Sequence, residues 1–237
     1  MKLTRVHPGP IEEIELDDAA SRDRLLELYR PPSATWLRLN LITSVSGSAA
    51  GADGTSETLT NLADRKLLGV IRELADVVLI GAQSVRAEGF QLPKRARLAV
   101  VTSTGDLAGH RIEATDGRVF VLCPASAVDR AGSLEGAEIV VVDDVDGRMT
   151  PEAILAALHN RGFTSIVCEG GPHLAAQFVS AGLVDEACLS TSPSLGGPSL
   201  PLLGDGVAPV GLELSQLLID ELSGLYARWA VPTTSRR

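Results

Sequence analysis

Aromatic side chains are scarce in this sequence, at 3% of its 237 residues, and basic side chains are outnumbered by acidic ones. Lys and Arg total 21 against 30 Asp and Glu, which leaves a formal net charge of -9 at pH 7. Proteins that bind nucleic acid usually carry a basic stripe for the phosphates and aromatic platforms for the bases. The composition therefore argues against a nucleic-acid partner.

Cysteine and histidine are also few. Cys123, Cys168 and Cys188 are widely separated and each lies in an apolar run, so we expect buried thiols and no disulfide framework. The four histidines are isolated, so we expect no metal site. The acidic run at 143–147 has its glycine too early for a calcium loop and lacks the distal glutamate, which favours an exposed turn.

Long hydrophobic runs are missing as well. No window approaches the roughly eighteen apolar residues of a membrane span, and the acidic N-terminal region lacks the apolar segment of a signal peptide. We therefore expect a cytoplasmic protein with no membrane partner. The length suits one sizeable α/β domain. We expect an N-terminal extension over residues 1–35, with a helix over 21–29, and a main domain over 36–237.

Short apolar runs alternate with helical patterns along the main domain. The expected strands are 36–44, 77–80, 98–102, 119–123, 139–142, 165–168 and 186–190, followed by a final pair at 213–219 and 225–231. The expected helices are 60–74, 151–161 and 172–181. Short, β-branched, fully apolar strands between helices are typical of a mostly parallel sheet with helices on both faces. The last two strands favour an antiparallel pair.

The most informative segment is 165–173, where an apolar strand ends abruptly at an acid, two glycines and a proline. Gly170 and Gly171 let the backbone come close to a ligand, and Pro172 suits the first position of a helix. The free N–H groups of that helix start favour an anion, and phosphate above all. Glu169 would repel a phosphate, so we expect it to face a different part of the ligand.

Other strand ends carry similar signals. Gly81 follows strand 77–80, and Thr102 and Ser103 lie at the end of strand 98–102. Ligands of open α/β sheets bind outside the carboxyl ends of the strands, so these loops predict a nucleotide-sized groove. Each glycine taken alone is equally consistent with an ordinary turn.

A specific order of motifs runs from Trp36 to Val231. It consists of Asn40 with Thr43-Ser-Val-Ser-Gly47, Asp64, Arg72, Ala75-Asp-Val-Val-Leu-Ile-Gly81, Ser84-Val-Arg86, Thr102-Ser103, Glu169-Gly-Gly-Pro172, Gly182-Leu-Val-Asp-Glu186 and Pro193-Ser-Leu-Gly-Gly197. The set resembles the NADPH-dependent pyrimidine reductases of riboflavin biosynthesis, the reductase half of the bifunctional deaminase-reductase, and is most similar to the stand-alone actinobacterial type. The resemblance implies a dihydrofolate reductase-like fold.

The resemblance also implies an oxidoreductase that uses NADPH to reduce the ribose of a ribosylaminopyrimidine 5′-phosphate to a ribityl chain. It implies that NADPH lies over Gly81, Ser84, Val85, Thr102, Ser103, Gly170 and Gly171. A nearby arginine such as Arg97 is a candidate to add charge for a phosphate. The substrate would lie against Asn40, Ser46, Asp64 and Glu169, and the last two are the catalytic candidates.

Several alternatives stay open. Asp64 is also consistent with an acid stabilised by the dipole of its helix. Ser46 stands where the family usually has the acid of a Leu-Asp-Gly motif, which leaves a catalytically impaired NADP-binding protein as one alternative. A dihydrofolate or dihydropterin reductase on the same fold is another. The zinc signature of the deaminase half does not occur, so we expect deamination on another chain.

The resemblance further implies a homodimer. The apolar C-terminal strand pair would otherwise expose a sheet edge, unless the N-terminal extension covers it.

Overall fold

A computed structural model describes residues 1–88, 90–114, 117–132 and 134–232. The strands are β1 (Lys2–His7), β2 (Glu12–Glu15), β3 (Trp36–Ser44), β4 (Val77–Gly81), β5 (Arg97–Val101), β6 (Val119–Cys123), β7 (Glu138–Val141), β8 (Asp144–Val145), β9 (Arg148–Met149), β10 (Ser165–Cys168), β11 (Glu186–Ser192), β12 (Glu213–Asp220) and β13 (Leu225–Ala230). The α-helices are α1 (Ala19–Tyr29), α2 (Leu62–Glu73), α3 (Ala82–Glu88), α4 (Val128–Ala131), α5 (Pro151–His159) and α6 (Pro172–Ser180).

One sheet contains all of these strands except the small β8–β9 hairpin, in the order β2-β1-β12-β13-β11-β3-β10-β4-β5-β6-β7. From β11 to β7 every neighbouring pair is parallel. From β2 to β11 every pair is antiparallel, including the C-terminal pair β12 and β13. The predicted fold class, a mostly parallel sheet with an antiparallel C-terminal pair, is confirmed.

Both faces of the sheet are buried under helices. Along β4, Val78 and Ile80 point into a core shared with α1, α2, α3 and α4. Val77 and Leu79 point into a second core shared with α5 and α6. Because successive residues of a strand point to opposite faces, a central parallel strand covered on both faces, such as β4, is apolar along its length. This explains why such short runs identified the strands.

The first two strands are not among the predicted elements. β1 pairs with β12 and β2 pairs with β1, so the N-terminal segment covers the edge that the C-terminal pair would otherwise expose. An exposed edge therefore gives no argument for a dimer here. Only Leu3 and Ile14 of these strands are fully buried, which leaves no long apolar pattern to detect in the sequence.

A buried ion triad joins α1 to the sheet. Glu186 of β11 accepts hydrogen bonds from Nε of Arg38, and from Nε (2.8 Å) and Nη2 (2.5 Å) of Arg228. Arg38 and Glu186 are each only 2% exposed. Nη2 of Arg38 donates to the carbonyl of Tyr29 at 2.7 Å, and Nη1 of Arg228 donates to the carbonyl of Leu28. Both arginines also lie near the Tyr29 ring.

The three cysteines and the acidic run at 143–147 lie where the sequence predicts. Cys123, Cys168 and Cys188 are buried free thiols, as expected, and burial raises the pKa of Cys168 and of Cys188 to about 12. The acidic run forms the exposed β8–β9 turn, in which Gly147 N donates to Asp144 Oδ2 at 2.7 Å.

Within the residues that the structure describes, no group of His, Cys, Asp or Glu is suited to hold a metal ion. None of the helices in the same ranges has the length and apolarity to cross a membrane.

We expect Glu186→Ala to lower the free energy of unfolding by about 3–5 kcal/mol, because it leaves two buried guanidinium groups without their anion. Urea denaturation followed by circular dichroism measures the change. Glu213→Ala, at the exposed start of β12, is the control and should change stability by about 0.5 kcal/mol or less. Equal effects of the two substitutions would show that the triad does not stabilise the fold.

Candidate functional site

A large cleft opens along the carboxyl ends of β3, β4, β5 and β10, between α2, α3 and α6, with a volume of about 2160 Å³. Eight of the predicted site residues line it. They are Asn40, Asp64, Gly81, Ser84, Thr102, Ser103, Glu169 and Gly171. Ser46, Val85 and Gly170 do not line it. The parallel strands thus bring together residues that lie more than a hundred positions apart in the sequence.

The glycine turn is built against the end of β4. The Gly81 N–H donates to the Gly170 carbonyl at 2.8 Å, and the Glu169 N–H donates to the Leu79 carbonyl at 2.9 Å, so the ladder between β10 and β4 continues past the strand. Gly170 has a φ of +90°, which favours glycine, and Gly171 is the N-cap residue of α6. A Cβ on Gly171 would come within 2.7 Å of Ser84 Oγ. A side chain at Gly171 would therefore have to displace the Ser84 hydroxyl.

The residues that follow β5 form another side of the cleft, next to the glycine turn. Thr102 is buried, its N–H donates to the Leu122 carbonyl at 3.0 Å, and it lines the cleft together with Ser103. The prediction that Arg97 supplies charge for a phosphate in this cleft is wrong. It lies at the opposite, amino-terminal end of β5, and its guanidinium lies 5.5 Å from the centre of the Phe163 ring.

Glu169 is paired rather than isolated. Its Oε1 accepts from Arg72 Nε at 2.7 Å and its Oε2 accepts from Arg72 Nη2 at 2.6 Å, the parallel two-bond geometry that arginine makes with carboxylates. The same guanidinium lies 4.6 Å from the centre of the Phe90 ring. The Glu169 side chain is only 8% exposed, so the ion pair with Arg72 compensates part of the cost of burying its charge.

Asp64 lies in the first turn of α2 and faces the cleft. Asn61 caps this helix, and its Oδ1 accepts from the Asp64 N–H at 3.0 Å. Burial raises the pKa of the Asp64 carboxyl, and the charges of Glu169 and Asp220 raise it further, against a hydrogen bond from Ser190 and the charge of Arg65. A carboxyl that keeps its proton at higher pH is suited to act as an acid.

Two of the predicted site residues lie elsewhere. Ser46 is exposed, and its hydroxyl lies 2.9 Å from Ser44 Oγ and accepts from the Gly196 N–H at 3.1 Å. It therefore anchors the loop that follows β11. Val85 is fully buried in the core beneath α3, so its side chain cannot touch a ligand in the cleft.

The RibD C-terminal domain family matches residues 35–221. The chain belongs to this family. The riboflavin biosynthesis protein RibD of Mycobacterium tuberculosis (strain H37Rv) is 30% identical over 184 residues, which cover 76% of this chain and 48% of the relative. The chain thus spans about half the length of the curated RibD proteins that it matches.

Solved structures share the RibD-type fold. A pyrimidine reductase-like protein from Corynebacterium diphtheriae superposes with a TM-score of 0.73 at 23% identity, over 89% of this chain and 98% of that one. The deaminase/reductase of Thermotoga maritima gives 0.68 at 20% identity, over 84% of this chain and 57% of that one. At these identities the likeness establishes the fold alone.

The role of Arg72 was missed by our sequence reasoning, although this residue was part of the motif set that resembles the RibD reductases. It lies 97 positions before Glu169, and no spacing rule connects the two. Its position offered one signal: Arg72 lies in the last turn of α2, directly after the buried residues Val70 and Ile71.

We expect Arg72→Met to lower the free energy of unfolding by about 2–3 kcal/mol, because it leaves the Glu169 carboxylate buried without its partner. The double variant Arg72→Met/Glu169→Gln should regain part of this loss, and urea denaturation of all four proteins measures the coupling. Arg72→Lys should not restore full stability, since an ammonium cannot make both bonds. Strictly additive effects would contradict a stabilising pair.

Proposed function

We propose that the chain is an NADPH-dependent reductase that acts on a ribosylaminopyrimidine 5′-phosphate and reduces its ribose to a ribityl chain in riboflavin biosynthesis. One observation carries the proposal: a glycine turn, the arginine-paired carboxylate of Glu169 and the buried carboxyl of Asp64 line the same cleft. Membership of the RibD C-terminal domain family supports the same reaction.

The cofactor side of the cleft is the turn formed by Gly81, Gly171 and Ser84. A Cβ on Gly81 would meet the Gly170 carbonyl and the Gly171 nitrogen at 3.7 Å, and one on Gly171 would meet Ser84. These positions fit the close approach of a pyrophosphate to backbone N–H groups. Thr102 and Ser103 extend the same wall and would hold the adenosine half of NADPH. When bound, NADPH supplies a hydride.

The substrate side is formed by Asn40, Asp64 and Glu169. The Asn40 amide both donates and accepts hydrogen bonds, as does an aminopyrimidine ring. Glu169, fixed by Arg72, offers acceptor oxygens to ring or ribose N–H and O–H groups. Its pairing also explains how an acid can lie next to a phosphate site without repelling it.

Asp64 is the proton donor in this proposal. Reduction adds a hydride to C1′ and breaks the bond between C1′ and the ring oxygen, and that oxygen then needs one proton to become a hydroxyl. Burial favours the neutral form of Asp64, which can donate, whereas both Glu169 oxygens already accept from Arg72 and have only acceptor lone pairs left for the substrate. The two acids therefore have different roles in this proposal: Asp64 donates the proton, and Glu169 orients the substrate.

The alternative of an impaired NADP-binding protein loses its main argument. It rested on Ser46, which replaces a family acid, but Ser46 is exposed outside the cleft, while Asp64 and Glu169 remain within it. No observation favours a dihydropterin or dihydrofolate substrate over a ribosylaminopyrimidine.

The reaction is tested by following NADPH oxidation at its absorbance maximum with a ribosylaminopyrimidine phosphate, and in parallel with dihydrofolate and a dihydropterin. We expect turnover of the pyrimidine alone. Asp64→Asn should lower kcat by about 10²–10⁴-fold, the usual contribution of a general acid. Because Asp64 must be protonated, kcat should fall as the pH rises above its raised pKa. Full activity of Asp64→Asn would exclude it as the donor.

The glycine turn is tested by NADPH binding. Gly171→Asp places a side chain against Ser84 and a negative charge beside the pyrophosphate, so we expect the affinity to fall about tenfold or more, or 1.4 kcal/mol at least. The fluorescence change of NADPH on titration measures it. Ser180→Asp adds the same charge at the far end of α6 and should bind like the wild type. Unchanged binding to Gly171→Asp would remove the turn from the cofactor site.

We also propose that the protein is a homodimer and is located in the cytoplasm, as the family resemblance implies. With β1 covering the edge of β12, the dimer prediction rests on the resemblance alone. A light-scattering mass of a single chain would contradict it.

A further inference from the structure

A buried hydrogen-bonded cluster lies at the amino end of α2, built from segments far apart in the sequence. Asn61 Nδ2 donates to Asp220 Oδ2 at 2.6 Å, and the Tyr226 hydroxyl lies 2.7 Å from the same oxygen. Asp220 Oδ1 accepts the N–H groups of Leu222 and Gly224, each at 2.8 Å. Asp220 and Tyr226 are 6% and 4% exposed, so the cluster is closed to solvent.

Asn61 connects this cluster to Asp64. Its Oδ1 accepts the Asp64 N–H at 3.0 Å and also lies 3.0 Å from the Tyr226 hydroxyl. Capping a helix needs only an acceptor, which serine, threonine or aspartate supplies equally well. Asparagine carries its acceptor and its donor on separate atoms, so that Oδ1 caps the helix while Nδ2 reaches Asp220, whereas a serine hydroxyl is one bond shorter. Asn61 is therefore a cap that also fastens α2 to the β12–β13 hairpin.

We propose that Asp220 and Tyr226 are positioning residues for Asp64, acting through Asn61 to hold the first turn of α2 so that the Asp64 carboxyl stays in the cleft. The proposal rests on the proposed reductase function, in which Asp64 donates a proton. Neither residue lines the cleft, so their contribution passes through the cap rather than through contact with a ligand.

Charge acts in the same direction as geometry. The charged groups that face Asp64 are Arg65 on its own helix, Glu169 at the end of β10 and Asp220 on the hairpin. Burial alone would raise the pKa of Asp220, but hydrogen bonds from Tyr226, Gly224, Asn61 and Leu222 outweigh it and lower that pKa. The lowered pKa favours the ionised form of Asp220, and its charge adds to the burial that raises the pKa of Asp64.

Two neighbouring carboxyls are therefore pushed in opposite directions. The pKa of Asp220, which receives four hydrogen bonds, is lowered, whereas the pKa of Asp64, which lies buried at the cleft, is raised. Such separation of the pKa values of two acids is the usual way in which one of them becomes a proton donor near neutral pH.

The charge effect is tested by carboxyl ¹³C NMR titration of Asp64, assigned with Asp64→Asn. In Asp220→Asn we expect the pKa of Asp64 to fall by roughly one unit, because a like charge has been removed. Glu221→Gln is the matched control: it removes one charge from the adjacent, exposed position of the same hairpin and should leave the pKa of Asp64 unchanged. An unchanged pKa in Asp220→Asn would overturn the coupling.

The positioning effect is tested by kinetics. Asn61→Ser keeps a helix cap but loses the bond to Asp220, and Tyr226→Phe loses only a hydroxyl. We expect each to lower kcat about tenfold with little change in KM, as small displacements of a reacting group do. Wild-type kcat in Asn61→Ser would overturn the proposal, and this arm decides it if Asp220→Asn fails to fold.

The two proposals can fail separately. A wild-type protein that turns over no ribosylaminopyrimidine would contradict the reductase function. The NMR titration needs no substrate, so it still decides whether Asp220 acts on Asp64.

Discussion

The cleft depends on the parallel pairing of β10 with β3 on one side and β4 on the other. This pairing brings three carboxyl ends to one edge, and the hydrogen bond from Gly81 to Gly170 extends the ladder into the turn itself. Main-chain bonds alone therefore fix the position of the glycine turn. The side chains around it are left available for ligands and for one another, which allows the glycine turn and two acids to line the same cleft.

The parallel half of the sheet was predictable to within two residues at each end, because strands buried on both faces are apolar throughout and end at glycine or polar turns. The N-terminal strands were not. β1 has only Leu3 fully buried, and its partner β12 lies more than two hundred residues away. Strands with few buried residues carry too weak a pattern for the sequence to reveal, and their pairing is a property of the assembled sheet.

In the site, features of the backbone were easier to predict than pairings of side chains. Gly81 and Gly171 line the cleft as expected, because a strand end and a helix start determine their place. Val85 shares the motif of Ser84 but turns into the core, since neighbouring helical residues face different directions. The partners of Glu169 and Asp64 come from other elements, and only the folded arrangement identifies them.

The ion triad formed by Arg38, Glu186 and Arg228 limits where the chain can be cut. Two guanidinium groups share one carboxylate, so the triad holds an excess positive charge, and the carbonyls of Leu28 and Tyr29 at the end of α1 solvate it. A chain cut at residue 35 would keep the buried cations but lose those acceptors and the Tyr29 ring. We therefore expect the N-terminal segment and the sheet to unfold as one cooperative unit. Any transfer of this domain into another protein has to carry that segment with it.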